Sequence, residues 1–293
     1  MAFTVTRVIA LVRAHDDEAS WQVFEDWLLE TNDPRAQLVR LEKAGEDATS
    51  AYAELAPLLF GPLRHVVTGR GWRAGYARAA RAVLGGDHVE YTLSEAPALA
   101  LVRELELEVR AGGEGALLAA ATASASAAFG AQLEALSLDH LGERPGTLDA
   151  ALLTALVGLE RLRLGGAALT VIPAPVLARV RELDLALSPR AVVELLRAGR
   201  FDELRTLTVR TGTLLYPWHD AFESLLEGTS APRLESLRLE ASPTPASIDF
   251  LRDLSRSPLA ARLRTLTFAG TACSPESLRR LGRSIANLSE VAP

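Results

Sequence analysis

Residues 102–109 read VRELELEV, and the spacing of their apolar side chains decides the fold. The pattern is an apolar residue, two spacers, a leucine, one spacer and a second large apolar residue. It returns six times: LEALSLDH from Leu133, LERLRLGG from Leu159, VRELDLAL from Val180, LRTLTVRT from Leu204, LESLRLEA from Leu234 and LRTLTFAG from Leu263. Between the middle leucines (Leu105, Leu136, Leu162, Leu183, Leu207, Leu237, Leu266) the steps are 31, 26, 21, 24, 30 and 29 residues. Self-similarity at such periods means a stacked array, because one unit cannot bury its apolar face alone. Within a unit the alternation is that of a strand. Leu162 and Leu164 point inward, while Arg161, Arg163 and Gly165 point to solvent.

Each strand candidate is followed by a helical one: 117–129, 148–156, 174–180, 191–196, 218–226, 247–254 and 275–285. Strand then helix on an L-x-x-L-x-L frame resembles a leucine-rich repeat. The expected fold class is therefore α/β, a solenoid of about seven to eight repeats over 63–293. Its parallel strands would line the concave side of a horseshoe and its helices the convex side. The ladder position three places after the second strand residue is usually Asn or Cys. Here it holds Leu141, Ala167, Ser188, Gly212, Ser242 and Thr271. Leu, Ala and Gly offer no side-chain hydrogen bond there, so a less regular array held by packing is expected. The 21-residue step leaves room for barely one helical turn, which should tighten the curvature. Residues 76–84 read as an irregular first strand turn of the solenoid and 93–101 as a helical lead-in. A helix from about residue 274 would cap the far end, with Leu278, Leu281 and Ile285 inward and Arg279, Arg280 and Arg283 in water.

The first 62 residues differ in composition. They carry 5 basic and 11 acidic side chains, whereas residues 63–293 carry 26 of each, so the whole net charge of −6 resides in the first part. An all-α cap over 1–62 is expected. Asp16 and Asp17 are N-cap candidates for a helix running to about Glu30, with Trp21, Phe24, Leu28 and Trp27 as its stripe. Asp33 and Pro34 open another helix, burying Leu38, Val39 and Leu41. A further helix over 51–60 closes at Gly61-Pro62.

The run from Asp16 to Gly45, DDEASWQVFEDWLLETNDPRAQLVRLEKAG, resembles the companion domain that precedes leucine-rich repeats in many bacterial proteins. That family shows an aromatic, an A-D-W-L-E segment, G-D-P-R and an R-L-Q-like helix. This chain has Phe24, Glu25-Asp26-Trp27-Leu28, Asn32-Asp33-Pro34-Arg35 and Arg40-Leu41-Glu42. Glu25 stands where Ala is usual and Asn32 where Gly is usual, the latter a mild change because Asn tolerates the left-handed conformation. Gly71 to Tyr76 resembles the segment leading from that domain into its first repeat. The resemblance implies an interaction module and no reaction. Asp26 and Arg35 read either as a partner-contacting pair or, as favoured, with Asp26 as a local brace for the Asn32–Arg35 turn and Trp27 in the core.

Cys273 is the sole cysteine, so the chain cannot form an internal disulfide. No segment reaches about 18 uninterrupted apolar residues, and 8–12 is too short for a signal-peptide core. A cytoplasmic protein is expected, with no membrane contact. The neutral repeat region lacks the concentrated basic face that nucleic acid requires. Thirty of the 31 basic residues are arginine. Codon bias, suggested also by the many alanines, is favoured over a demand for bidentate pairing. The five histidines, His15, His65, His88, His140 and His219, show no metal-ligand spacing, and no phosphate-cradling glycine motif occurs. No cofactor is expected. Cys273 reads as a buried, inert thiol.

The solvent-pointing columns remain as candidate sites. The central one is Glu106, Ser137, Arg163, Asp184, Thr208, Arg238 and Thr267. The one before it is Glu104, Ala135, Arg161, Glu182, Thr206, Ser236 and Thr265; the one after is Glu108, Asp139, Gly165, Ala186, Arg210, Glu240 and Ala269. Glu104, Glu106, Glu108 and Asp139 would form an acidic zone suited to a basic patch on a partner protein. Arg161 and Arg163 would face Glu182 and Asp184 across strands. Tyr216 and Trp218 are a competing aromatic anchor at a loop edge, with helix-start packing favoured for them. The expected function is a non-catalytic protein-interaction scaffold. The alternative is an adaptor subunit holding an enzyme or toxin through its acidic N-terminal domain.

Overall fold

The computed structural model of the protein describes residues 10, 12, 17–85, 93, 96–109, 132–140, 150–166, 172–213, 218–242, 253–269 and 290–292. Among the described residues, ten strands form one open sheet in chain order. The first two, β1 (Val67–Arg73) and β2 (Tyr76–Leu84), are an antiparallel hairpin. The rest run parallel from β2 onward: β3 (Glu104–Val109), β4 (Ala135–His140), β5 (Arg161–Gly166), β6 (Glu182–Ala186), β7 (Thr206–Thr213), β8 (Ser236–Ser242), β9 (Thr265–Ala269) and β10 (Glu290–Ala292).

Each of the seven repeat units is one parallel strand, and their register follows the leucines. Leu105 pairs with Leu136, then Leu162, Leu183, Leu207, Leu237 and Leu266 in turn. These residues, and the apolar residue that opens each unit, are at most 2% exposed. Helices lie on this leucine side: α4 (Ala150–Ala155), α5 (Ala174–Arg179), α6 (Pro189–Ala198) and α7 (Trp218–Leu226). Leu153, Val176, Leu177, Val192, Leu196, Phe222 and Leu225 from these helices join the strand leucines in one core. Towards the N-terminus the described residues form α1 (Glu18–Glu30), α2 (Ala36–Ala44) and α3 (Thr49–Phe60), the last followed by a 3-10 turn over Gly61–His65.

Local chemistry explains the helix starts. Asp17 caps α1 by accepting from the Ser20 backbone N–H at 2.7 Å. Ser188 caps α6 in the same way through Ala191, with Pro189 at its first position. Ser188 thus serves its own helix, whereas a ladder residue would reach a neighbouring loop. Among the described residues, the short step between β5 and β6 holds the six-residue α5.

The segment 76–84 forms the expected first strand of the array, but as a regular nine-residue strand rather than an irregular one. Its partner β1 was not anticipated. The two meet at Ala74 (φ 50) and Gly75 (φ 80), a two-residue loop with both residues left-handed. Trp72 folds over Gly69, where a Cβ would overlap its ring, and packs against Tyr52 and Phe60 of α3 with centroids 4.5 and 5.6 Å away. On the other side Phe24 meets Tyr76 edge-on at 5.3 Å. Leu38, Ala51, Leu59 and Phe60 share the core of the strand leucines, while Phe24, Leu28, Val39, Tyr76 and Leu101 form a second cluster. The N-terminal helices therefore pack directly on the hairpin.

Arg35 stands at the centre of that junction. Its guanidinium forks onto Asp33 at 2.8 and 2.7 Å and donates to the Tyr76 hydroxyl. Asp26 does not brace this turn. It is exposed, with Lys43 at 3.8 Å. Trp27 is only half-buried, stacked on Phe24. Of the lead-in over 93–101, a 3-10 turn at Pro97–Leu99 is present. The helix expected over 117–129, the cap from about 274, Tyr216, Cys273, His15 and His88 lie outside the described residues, as does most of 247–254.

Candidate functional site

Outward-pointing residues of the parallel strands build a polar face that no described helix covers. Parallel sheets are normally covered on both faces. Here the second face is made of charged, hydroxyl and small side chains, which solvent tolerates. A groove of about 600 Å³ runs along it. Its walls carry Glu104, Glu106, Arg161, Arg163, Glu182 and Asp184, and Ala135, Ser137, Thr206 and Thr208 lie between them. Strand pairing places Glu106, Ser137, Arg163, Asp184, Thr208, Arg238 and Thr267 in one row, and Glu104, Ala135, Arg161, Glu182, Thr206, Ser236 and Thr265 in the next. Both rows run as the alternation requires. Glu108 and Asp139 pair in the third row but lie outside the groove lining.

The acidic zone is not left uncompensated. Arg70 and Arg81 of the hairpin reach Glu106 at 3.1 and 3.2 Å, and Arg81 also pairs with Glu108. Glu108 is buried by this contact, at 8% exposure. Arg161 on β5 reaches across β4 to Glu104 on β3 at 2.7 Å. Further along, Asp139, Arg163, Asp184, Arg210, Glu240 and Arg238 alternate in sign, with successive contacts of 3.6, 3.9, 2.9, 3.5 and 2.6 Å. Asp139 leans over Gly165, where a Cβ would overlap its carboxylate. The arginines of this face are used in pairs, the role set against codon bias above. Each exposed pair contributes about 0–1 kcal/mol, so the ladder shapes the face more than it stabilises it.

Compensation is incomplete at the centre. Ser137 Oγ, Arg163 Nε, Asp184 Oδ1 and Arg210 Nε are enclosed and meet no hydrogen-bond partner. Arg81 Nε on the same face also lacks a hydrogen bond of good geometry, but it ion-pairs with Glu106 at 3.2 Å. Buried polar groups are usually satisfied, and exceptions concentrate where structure serves function. Burial pushes the Asp184 carboxyl above its ordinary range, with Glu240 and Asp139 adding to the rise, against the pull of Arg210 and Arg163. Ionised Asp184 is thus held at a cost in the free chain. Unlike charges, hydroxyls and small gaps at fixed strand spacing suit polar recognition of a surface. No group of three or more His, Cys, Asp or Glu among the described residues is placed to hold a metal ion.

Other sequence candidates are dispersed. Trp218 opens α7, on the far side of the strand from this face. The acidic N-terminal residues are largely spent within the chain. Glu18 and Glu25 hold Arg73 at 2.6 and 2.9 Å, Glu25 also holds Lys43 at 3.3 Å, and Glu42 accepts from Tyr52 and from the Ala74 backbone. No described helix is long and apolar enough to cross a membrane.

The chain matches no known protein family and no curated protein. Among solved structures it resembles a Bacteroides fragilis protein determined by a structural genomics consortium, with a TM-score of 0.56 and 17% sequence identity. The likeness covers 73% of this chain and 67% of that one. At that identity it shows a shared fold, an α/β array of sheet and helices, and nothing of activity.

Proposed function

We propose that the protein is a leucine-rich-repeat solenoid with an N-terminal helical cap, serving as a non-catalytic scaffold that binds a partner protein across the solvent face of its sheet. The observation that carries this reading is a polar sheet face that no described helix covers, with a groove lined by residues from β1 to β7. Chains rarely leave such a face bare. The repeat spacing and the stacking of one strand per unit support the solenoid, and the companion-like N-terminal sequence supports the family. A cytoplasmic site of action suits the single cysteine. The partner needs charges of both signs, because the groove presents Glu104, Glu182 and Asp184 beside Arg161 and Arg163. Glu18, Glu25 and Glu42, three of the carboxylates that suggested an adaptor role for the N-terminal helices, are engaged with the hairpin, which favours the sheet face as the binding surface.

The test uses Thr208→Trp and Glu182→Lys, two outward positions that leave the leucine core untouched. Affinity purification from the native cell should recover a stoichiometric partner with the parent chain. Each substitution should reduce that recovery at least tenfold while thermal melting stays within a few degrees. Undiminished recovery with both variants would reject the groove as the binding surface.

A further inference from the structure

The first spacer of each repeat unit forms a row along the N-terminal edge of the strands, outside the columns of the solvent face. It reads Arg103, Glu134, Glu160, Arg181, Arg205, Glu235 and Arg264. Backbone bonds between neighbouring units fix its spacing: Glu134 N–H donates to Arg103, Glu160 to Glu134, Arg181 to Glu160, Arg205 to Arg181, Glu235 to Arg205 and Arg264 to Glu235, each to the carbonyl. Opposite charges pair along the row. Arg103 meets Glu134, Arg181 meets Glu160 at 2.9 Å, and Arg264 meets Glu235 at 3.6 Å. Seven members and three pairs leave Arg205 over. Its exposed side chain makes no ion pair within 4 Å among the described residues, although Glu160, Glu182 and Glu235 line the cavity on its other side.

Arg205 borders a groove of about 690 Å³ whose walls are Arg205, Arg233, Arg262 and Arg264, with Glu235 the one carboxylate and Pro232, Leu234 and Ala261 between them. Arg233 is paired with Glu203 on the rim. Arg262 has no carboxylate partner among the described residues. Its Nη2 makes one long contact, 3.4 Å to the Ala231 carbonyl, and its Nε meets no acceptor. The groove is therefore cationic, in contrast to the compensated ladder of the solvent face. Guanidinium forks match carboxylates in geometry and hold them bidentately.

We infer that this edge groove is a second interaction surface, which takes an acidic, extended peptide segment of a partner protein. Arg205 and Arg264 sit two strand spacings apart, about 10 Å. An extended peptide with acidic residues at alternate positions brings carboxylates to one side every 7 Å or so, enough to engage both arginines at once. The small apolar floor at Ala261 and Pro232 lets a backbone lie close. Duplex nucleic acid would require a far larger basic face than four arginines beside a neutral surface.

The probe is a fluorescein-labelled eight-residue peptide alternating Glu and Ser, titrated with the full chain and read by fluorescence polarisation. The parent protein should bind it, with affinity falling as salt rises, and should not bind the Lys–Ser analogue. Arg205→Glu should weaken binding at least tenfold and Arg205→Gln severalfold. Both should fold normally, since the Arg205 side chain is exposed and supports no other group. Thr208→Trp should leave this binding unchanged, which separates the edge groove from the sheet-face reading. Equal binding by the parent and Arg205→Glu, or by the two peptides, would overturn the inference. Complete displacement of the peptide by millimolar inorganic phosphate would overturn the peptide assignment in favour of a simple oxyanion pocket.

Discussion

Arg35→Ala is expected to lose about 2–3 kcal/mol of stability, the usual worth of charge-assisted hydrogen bonds at a partly buried pair. Arg35 is 9% exposed, and its side chain fills the space under Gly75, where even a Cβ would lie 2.9 Å from it. Removing it strips Asp33 of its fork, releases the Tyr76 hydroxyl and opens a gap between the N-terminal helices and the hairpin. Arg35→Lys restores charge without the fork and should recover only part of the loss. The pH dependence carries a signature. Burial alone would raise the Asp33 carboxyl, but the side-chain and backbone bonds from Arg35 outweigh it, and its pKa falls below the ordinary 3.8. A depressed carboxylate stabilises the fold fully above its unfolded pKa, and that contribution is lost as pH falls through the folded value. The parent should therefore lose this increment of stability below about pH 3.8, whereas Arg35→Ala should lack that part of the acid slope. Chemical denaturation at neutral pH and near pH 3 measures both. An Arg35→Ala midpoint equal to the parent's at neutral pH would remove the junction from the account.

Leu207→Ala should cost about 2–5 kcal/mol, while Thr208→Ala, the next residue, should change stability by no more than about 0.5 kcal/mol. Leu207 is fully buried between Leu183 and Leu237, so its loss leaves a cavity that fixed neighbours on both sides cannot close. Thr208 faces the groove, between Asp184 and Arg238. The alternation of effects along one strand checks the register itself. A one-residue slip would reverse the two outcomes. Paired denaturant curves suffice.

The array was legible because its signal is doubly fixed. Leucines two apart set the face, and their recurrence sets the register, so every central-row neighbour from Glu106 to Thr267 follows from spacing alone. The hairpin was not legible. β1, VTGRGWR, buries only Val67 and breaks its alternation with Gly69 and Gly71, and its turn uses Ala-Gly in place of a usual Asn-Gly. That omission had an electrostatic consequence. Glu106 and Glu108 looked like free acid because the arginines that neutralise them, Arg70 and Arg81, sit on the hairpin. Asp26 was misplaced for a similar reason. Nearness in sequence suggested the turn, but its neighbour is Lys43 on the next helix. The three-residue β10 is too short to leave a periodic signal, though Val291 pairs with Leu266 as a further rung. The edge groove could be read only after stacking, since its charges come from spacers about 30 residues apart that no local motif joins.

The central claim is that a partner protein lies across the sheet face. A photo-crosslinking side chain placed at Thr208 tests it most directly, with the same group at Glu194 on the exposed side of α6 and at Glu54 on α3 as controls. Crosslinking in the native cell should give one discrete adduct from Thr208 and none from the other two. An adduct from Glu194 or Glu54 with none from Thr208 would contradict it.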